Sequence, residues 1–235
     1  MLCEIADLLV EVPEVGDMPS RCREYLHNAK AEPDVVISKE RFDASLWPDL
    51  SYDAMAYMES GGQFFYHLLN NNGMMLHASA VAMDGKAYLF SGQCGMGKST
   101  HTRLWQSTFG EKALIFNDDK PPLRFIDGVW YAYGAPWCGK DGINQNVKVP
   151  LAGICFLQQA KENKISRLSQ KEALPRIISQ TVNRFQYLKN LDKMVAAVEK
   201  LVTKIPVFLL ENRPEPAAAQ LSYETMRKAA QEENL

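Results

Sequence analysis

Residues 92–99 read GQCGMGKS and satisfy the spacing Gly-x-x-x-x-Gly-Lys-Ser at every fixed position. Glycines at this spacing let the backbone curl until several N–H groups point into one concavity. A helix starting behind them adds its positive end. Such a nest suits a polyphosphate. The expected contacts are Gly92, Gln93, Cys94, Gly95, Met96, Gly97, Lys98, Ser99 and Thr100. Lys98 would reach the β- and γ-phosphates, and Ser99 would offer its hydroxyl to Mg²⁺. The implied ligand is ATP, or another nucleoside triphosphate, with Mg²⁺. A chance match is the competing reading, and the context argues against it, because an apolar β-prone run enters the loop and a helical run leaves it. Cys94 reads as a small residue that fits, with redox sensitivity as the less favoured alternative.

Two further elements carry chemistry. Asp118 and Asp119 end the apolar run ALIF. One carboxylate can hold Mg²⁺, directly or through water, and the other can take a proton from an attacking hydroxyl. A simple turn is the alternative, since Asp favours turns and Pro121-Pro122 follow. The third element is His77. Asp84-Gly85 is a strong two-residue hairpin signal. With that turn Met83 pairs with Lys86, and the same register sets His77 opposite Gly92. The histidine would thus reach the phosphate site, unless it only caps the start of its strand.

The elements that must hold these groups are legible downstream and vague upstream. Residues 75–83 and 86–91 read as the two hairpin strands, and a helix follows the loop over about 98–109. Strands are expected at 113–116, 128–133, 151–157 and 206–210. Residues 171–204 read as helical with an interruption near Pro175, and 217–232 as a terminal helix. Before residue 70, Pro13, Gly16, Pro19 and Pro48 break up short apolar runs. Residues 34–38 suggest a short strand, and Tyr57, Phe64, Phe65, Leu68 and Leu69 fall at helix spacing. The expectation is an α/β chain with a smaller N-terminal subdomain over 1–70 and a phosphate-loop core over 71–235.

Together, LHASAVAMDGKAYLFSGQCGMGKSTHTRLW, LIFNDDKPPLRFIDG and YGAPWCGK resemble the HPr kinase/phosphorylase family and its relatives, whose fold is related to that of ATP-dependent phosphoenolpyruvate carboxykinase. The likeness covers roughly residues 73–160. It implies a phosphate-loop core of that type with a mixed sheet. It also implies roles: Asp118 as the base toward an acceptor hydroxyl, Asp119 as its partner near the metal, and His77 at the catalytic centre beside Lys98. Two departures stand out. Cys94 occupies a position usually held by serine, and GAPWCGKDGINQN replaces the family's downstream glycine-rich segment. The likeness is therefore greater to HPr-kinase-related proteins, some associated with peptide-modification cassettes, and reversible phosphorolysis is not implied.

The expected activity is a Mg²⁺-dependent kinase moving the γ-phosphoryl group of ATP to a hydroxyl of a peptide, small protein or small molecule, Ser or Thr foremost. The alternative is a nucleotide-sensing regulatory protein without catalysis. Trp137 and Lys140 are second-rank candidates for a pocket wall, as are Lys120 and Arg103 for charge near the site and Arg184 for a transition-state arginine. The composition sets the remaining bounds. A net charge of -2 with both signs dispersed argues against nucleic acid and an anionic membrane as partners. The odd count of five cysteines lacks metal or redox spacing. With no apolar stretch of spanning length, the chain is expected to be cytoplasmic. The family resemblance also allows a homo-oligomer.

Overall fold

A computed structural model describes residues 1–181 and 190–233. The chain opens with strands β1 (Leu2–Ile5) and β2 (Leu8–Glu11), a short helix α1 (Met18–Arg21) and strand β3 (Val35–Val36), followed by the long helix α2 (Tyr52–Leu69). The central part comprises β4 (Gly73–Met75), β5 (Ala78–Met83), β6 (Lys86–Ser91), helix α3 (Lys98–Phe109), β7 (Leu114–Asp119), β8 (Pro122–Ile126), β9 (Val129–Tyr133) and the long strand β10 (Lys148–Gln159). It ends with β11 (Lys164–Arg167), α4 (Gln170–Gln180), α5 (Leu191–Lys204), β12 (Val207–Asn212) and α6 (Pro216–Glu232). β1, β2 and β3 form a small sheet of their own, and the remaining strands form one large mixed sheet. The fold is mixed α/β.

The large sheet curls because β10 serves two neighbourhoods. Its first residues pair antiparallel with β9, which continues through β8 to β4. Its remainder pairs in parallel with β6 on one side and β12 on the other. Beyond β6 lie β5 and then β7, both joined by antiparallel ladders. The buried positions explain this order. β5 is buried at every residue and β10 through most of its length, as strands covered on both faces must be.

Local chemistry accounts for the β5–β6 hairpin. Asp84 and Gly85 both take positive φ, 52° and 71°, the mirror-image turn whose twist matches two paired strands. The register runs from Met83↔Lys86 to Ala78↔Ser91, as the turn dictates. The expected strand over 75–83 is divided, however. Leu76 bridges to Thr181 and the His77 N–H donates to the Gln180 carbonyl at 2.8 Å, so β4 and β5 pair with different partners.

Helix α2 starts where the Ser51 hydroxyl accepts from the Ala54 N–H, and it buries Phe64, Phe65 and Leu68. Helix α4 begins at a reciprocal cap between Ser169 and Glu172 and passes through Pro175 to Gln180. The expected break at Pro175 is thus displaced. The proline lies inside the helix, which continues past it without the one bond that its missing N–H would make to the carbonyl four residues back. Arg184 lies outside the described residues. One apolar cluster runs from Cys3, Ile5 and Val10 of the small sheet through Phe64 and Trp137 to Leu151 and Val207 of the large one. A second, containing Phe90, Trp105, Phe208 and Met226, lies between α3, α6 and the other sheet face.

Candidate active site

Strand β5 brings the candidate residues together. It lies between β6, which runs into the glycine loop, and β7, which carries the acid pair. Ala78 pairs with Ser91 on one side and with Asp119 on the other, and Ser79 pairs with Asp118. His77, one residue before β5, therefore stands between the loop and the carboxylates. Its carbonyl accepts from the Ser91 hydroxyl at 2.8 Å, and its Nε2 lies 3.5 Å from Asp119 Oδ1. Burial, and after it the Lys98 ammonium, lowers the pKa of His77 against the pull of Asp119. At neutral pH this contact is a neutral imidazole beside a carboxylate, although its distance alone would permit an ion pair.

The loop itself follows from its glycines. Gly92 has φ 145° and Gly97 has φ 89°, both in the region that side chains disfavour. Gly97 is the N-cap of α3, and Lys98 is the first residue of that helix. Lys98 Nζ donates to the Gly92 and Gln93 carbonyls at 2.9 and 3.2 Å, so the lysine lies along the loop. Burial lowers its pKa, while Asp119 and Asp118 oppose that shift. Cys94 and Thr100 are exposed at the loop rim. The Ser79 and Thr102 hydroxyls meet at 2.8 Å, tying α3 to β5 behind the loop.

The two aspartates differ in their surroundings. Asp119 Oδ2 accepts from the Tyr57 hydroxyl at 2.5 Å and pairs with Lys120. Asp118 Oδ1 is buried and has no hydrogen-bond partner among the described residues. A buried, unpaired carboxylate oxygen is costly, and such groups gather where a ligand, ion or water completes them. Asn117, fully buried, shapes the turn: its Oδ1 accepts from the N–H groups of Asp119 and Lys120, and its Nδ2 donates to the Ala135 carbonyl. The pair thus terminates a strand and enters a turn at once.

A cleft of about 880 Å³ joins these groups, lined among others by Tyr57, His77, Lys98, Ser99, Asp118 and Asp119. Its opposite wall comes from distant parts of the chain. The Tyr57 hydroxyl donates to Asp119 while accepting from the Gly139 N–H at 3.1 Å and from Lys120 at 3.3 Å. Burial first, and Asp119 second, raises the pKa of the Tyr57 phenol, so it remains a donor. Arg21 bonds Asp17 at 2.6 Å and the Gly139 carbonyl at 2.9 Å, and its guanidinium lies over the Tyr57 ring. Gly139 has φ 75°, and a Cβ there would approach the Asp118 carbonyl to 3.0 Å.

The second-rank residues divide. Lys120 is largely buried, paired to Asp119 and placed over the Tyr57 ring, rather than solvated. Lys140 lines the cleft. Trp137 is fully buried, stacked on Phe64 at 4.6 Å and bonded to the Ser60 hydroxyl, which makes it an anchor of the wall. Arg103 pairs with Asp141 at the surface. Sequence reasoning missed Arg21, Asn117 and Gly139, and took Tyr57 for an apolar helix position. A tyrosine on a helix face gives no local sign of what its hydroxyl will meet.

The model of the family described as SynChlorMet cassette protein ScmC matches residues 49–213. The chain belongs to this family. The matched span includes Tyr57, His77, the glycine loop, the acid pair and Gly139, and it leaves Asp17 and Arg21 outside. No curated protein matches the chain. Among solved structures it is similar to the HPr(Ser) kinase/phosphatase from Coxiella burnetii, with 11% identity and a TM-score of 0.37 over 66% of this chain and 88% of that one. That likeness is too remote to bear on mechanism.

Proposed function

We propose that the protein is an ATP-dependent kinase that transfers the γ-phosphoryl group to a hydroxyl of a peptide, small protein or small molecule, Ser or Thr being the foremost candidate. One observation carries this reading: a single strand, β5, pairs with both β6 and β7, so that a loop of the Gly-x4-Gly-Lys-Ser type, a histidine and two carboxylates share one cleft. Phosphoryl transfer asks a protein mainly for positioning and charge stabilisation, and these groups supply both.

In this reading the loop N–H groups and Lys98 bind the triphosphate. Asp118, whose Oδ1 lacks a partner among the described residues, takes the proton of the acceptor hydroxyl. The acceptor oxygen then bonds to the γ-phosphorus as the bond to the β-phosphate oxygen breaks. His77, held neutral, and Lys120 set the position of Asp119. The donor set suits Mg²⁺ carried in with the phosphates, since that ion binds through one or two protein oxygens and keeps phosphate and water for the rest. Ser99 and Asp119 would hold it. Asp119 Oδ2 is committed to Tyr57 and Lys120, so the oxygen toward the ion would be Oδ1, which lies 3.5 Å from His77 Nε2. The ion supplies charge neutralisation along the phosphates.

The test is to incubate purified protein with Mg²⁺, γ-labelled ATP and a lysate of its own source. Label on a discrete peptide, protein or small molecule, dependent on the added protein, is the expected result. Tight ATP binding with no label transferred to any acceptor supports a nucleotide sensor instead.

A further inference from the structure

The glycine loop borders two hollows. The large cleft lies on the β5 side. On the other side is a pocket of about 360 Å³, lined by Gly95, Met96, Gly97 and Thr100 from the loop region and by Leu104, Gln159, Asn212 and Pro214 among others. The topology explains its position. β6, β10 and β12 are parallel, so their C-terminal ends lie on one edge of the sheet. The loop leaves β6 there, and Gln159 and Asn212, a register pair, end β10 and β12. In open α/β sheets, ligands bind outside the carboxyl ends of such strands. Gly95, Gly97 and Thr100 line both hollows, so a molecule lying along the loop passes from one into the other.

We propose that this second pocket receives the base of a purine nucleotide, adenine in preference to guanine, with the phosphates crossing the loop into the cleft. The proposal rests on the kinase reading of the loop. Met96, Leu104 and Pro214 give the pocket apolar walls for a ring, and its polar groups point to the base. One Asn212 amide N–H goes to the Arg213 carbonyl at 3.2 Å, which leaves this nearly buried residue a second N–H and its oxygen, the pair that reads a ring nitrogen and the exocyclic amine of adenine. His101, 1% exposed, borders the pocket, and its Nδ1 has no partner among the described residues.

Its tautomer can be argued from Ser222, whose single proton goes to the Ala219 carbonyl at 3.0 Å. Ser222 Oγ accepts from Trp105 Nε1 at 2.9 Å, so His101 Nε2, at 3.0 Å, is assigned the second donor. Nδ1 is then an acceptor as well. Two acceptors suit the exocyclic amine of adenine and oppose the O6 oxygen of guanine. Among the described residues that line the pocket, none is a carboxylate, the group that would take the N1–H and amine of guanine together.

The test is equilibrium binding, with Mg²⁺, of tripolyphosphate and of the β,γ-imido analogues of ATP and GTP. The wild-type protein should bind the ATP analogue about tenfold or more tightly than either of the others. Ala160 also lines the pocket, and Ala160→Phe, which places a ring in it, should weaken the ATP analogue by about tenfold and leave tripolyphosphate unchanged, the latter showing an intact loop. If tripolyphosphate binding falls too, Asn212→Asp decides: the ATP-to-GTP ratio should drop, and an unchanged ratio overturns the proposal. An ATP analogue bound no more tightly than tripolyphosphate or the GTP analogue, with binding lost in Lys98→Ala, overturns the base pocket and leaves the loop reading standing. Binding of none of the three overturns both.

Discussion

The two walls of the cleft are built in opposite ways. The β5–β6–β7 wall is local. One two-residue turn fixes a register, the register places His77, and a glycine loop follows directly. The facing wall is assembled from residues 17, 21, 57 and 139, which meet only in the folded chain. The local wall carries the groups that would do chemistry. The assembled wall holds one of them, Asp119, through the Tyr57 phenol, whose oxygen in turn accepts from the Gly139 N–H. A site of this kind can be recognised from its chemical half alone, while its orientation depends on a half that leaves no motif.

The largest effect should come from the local wall. Lys98→Ala removes the ammonium aimed along the loop, and transfer should fall by about a thousandfold, as when a charge-stabilising donor is lost. Near wild-type turnover would remove the loop from the mechanism.

Next in size is the far side of α3. Burial holds the pKa of His101 down at about 4, from an ordinary 6.5. Because the folded value is depressed, the stability it confers is full above about pH 6.5 and is lost as pH falls toward 4. The unfolded chain binds the proton first across that window. At about 1.4 kcal/mol per unit, the loss approaches about 3 kcal/mol. Urea unfolding at pH 7 and pH 4.5 should show this slope, and His101→Phe should flatten it. An equally steep slope in the variant would contradict the assignment.

Tyr57→Phe probes the assembled wall. It leaves Asp119 with Lys120 and strips the Gly139 N–H of its acceptor. The cost should be about 1–3 kcal/mol of stability. Turnover should fall about tenfold with ATP binding retained, since the loop is untouched. Equal stability and activity would mean the two walls are not coupled through Tyr57.

The smallest effect tests the locality of the hairpin. Gly85→Ala meets no atom within 4 Å, so only its φ of 71° resists. The destabilisation should be about 1 kcal/mol, with transfer unchanged. A shift in turnover would show that the turn reaches the site by more than register.

This contrast also explains what could be read in the chain. The hairpin register follows from a short-range rule, and its ladder meets the expectation residue by residue, while the strand expected over 113–116 runs on through the acid pair as Leu114–Asp119. The division between β4 and β5 was not legible, because it depends on Leu76 bridging to Thr181, far along the sequence. The reach of β10 to three neighbours was equally hidden. Trp137 was open to two readings, and its stacking on Phe64 over Gly61, where a Cβ would come within 2.9 Å of the indole, decides for an anchor. Asn117 was passed over as the edge of an acidic motif, although its amide shapes the turn that presents the carboxylates.

The most direct test is Asp118→Asn, with Mg²⁺–ATP binding and label transfer measured on the same samples. The account predicts that ATP binds within a few-fold of wild type while transfer falls by about a hundredfold or more, as loss of a general base requires. Full transfer by the Asn variant, with binding intact, would contradict it.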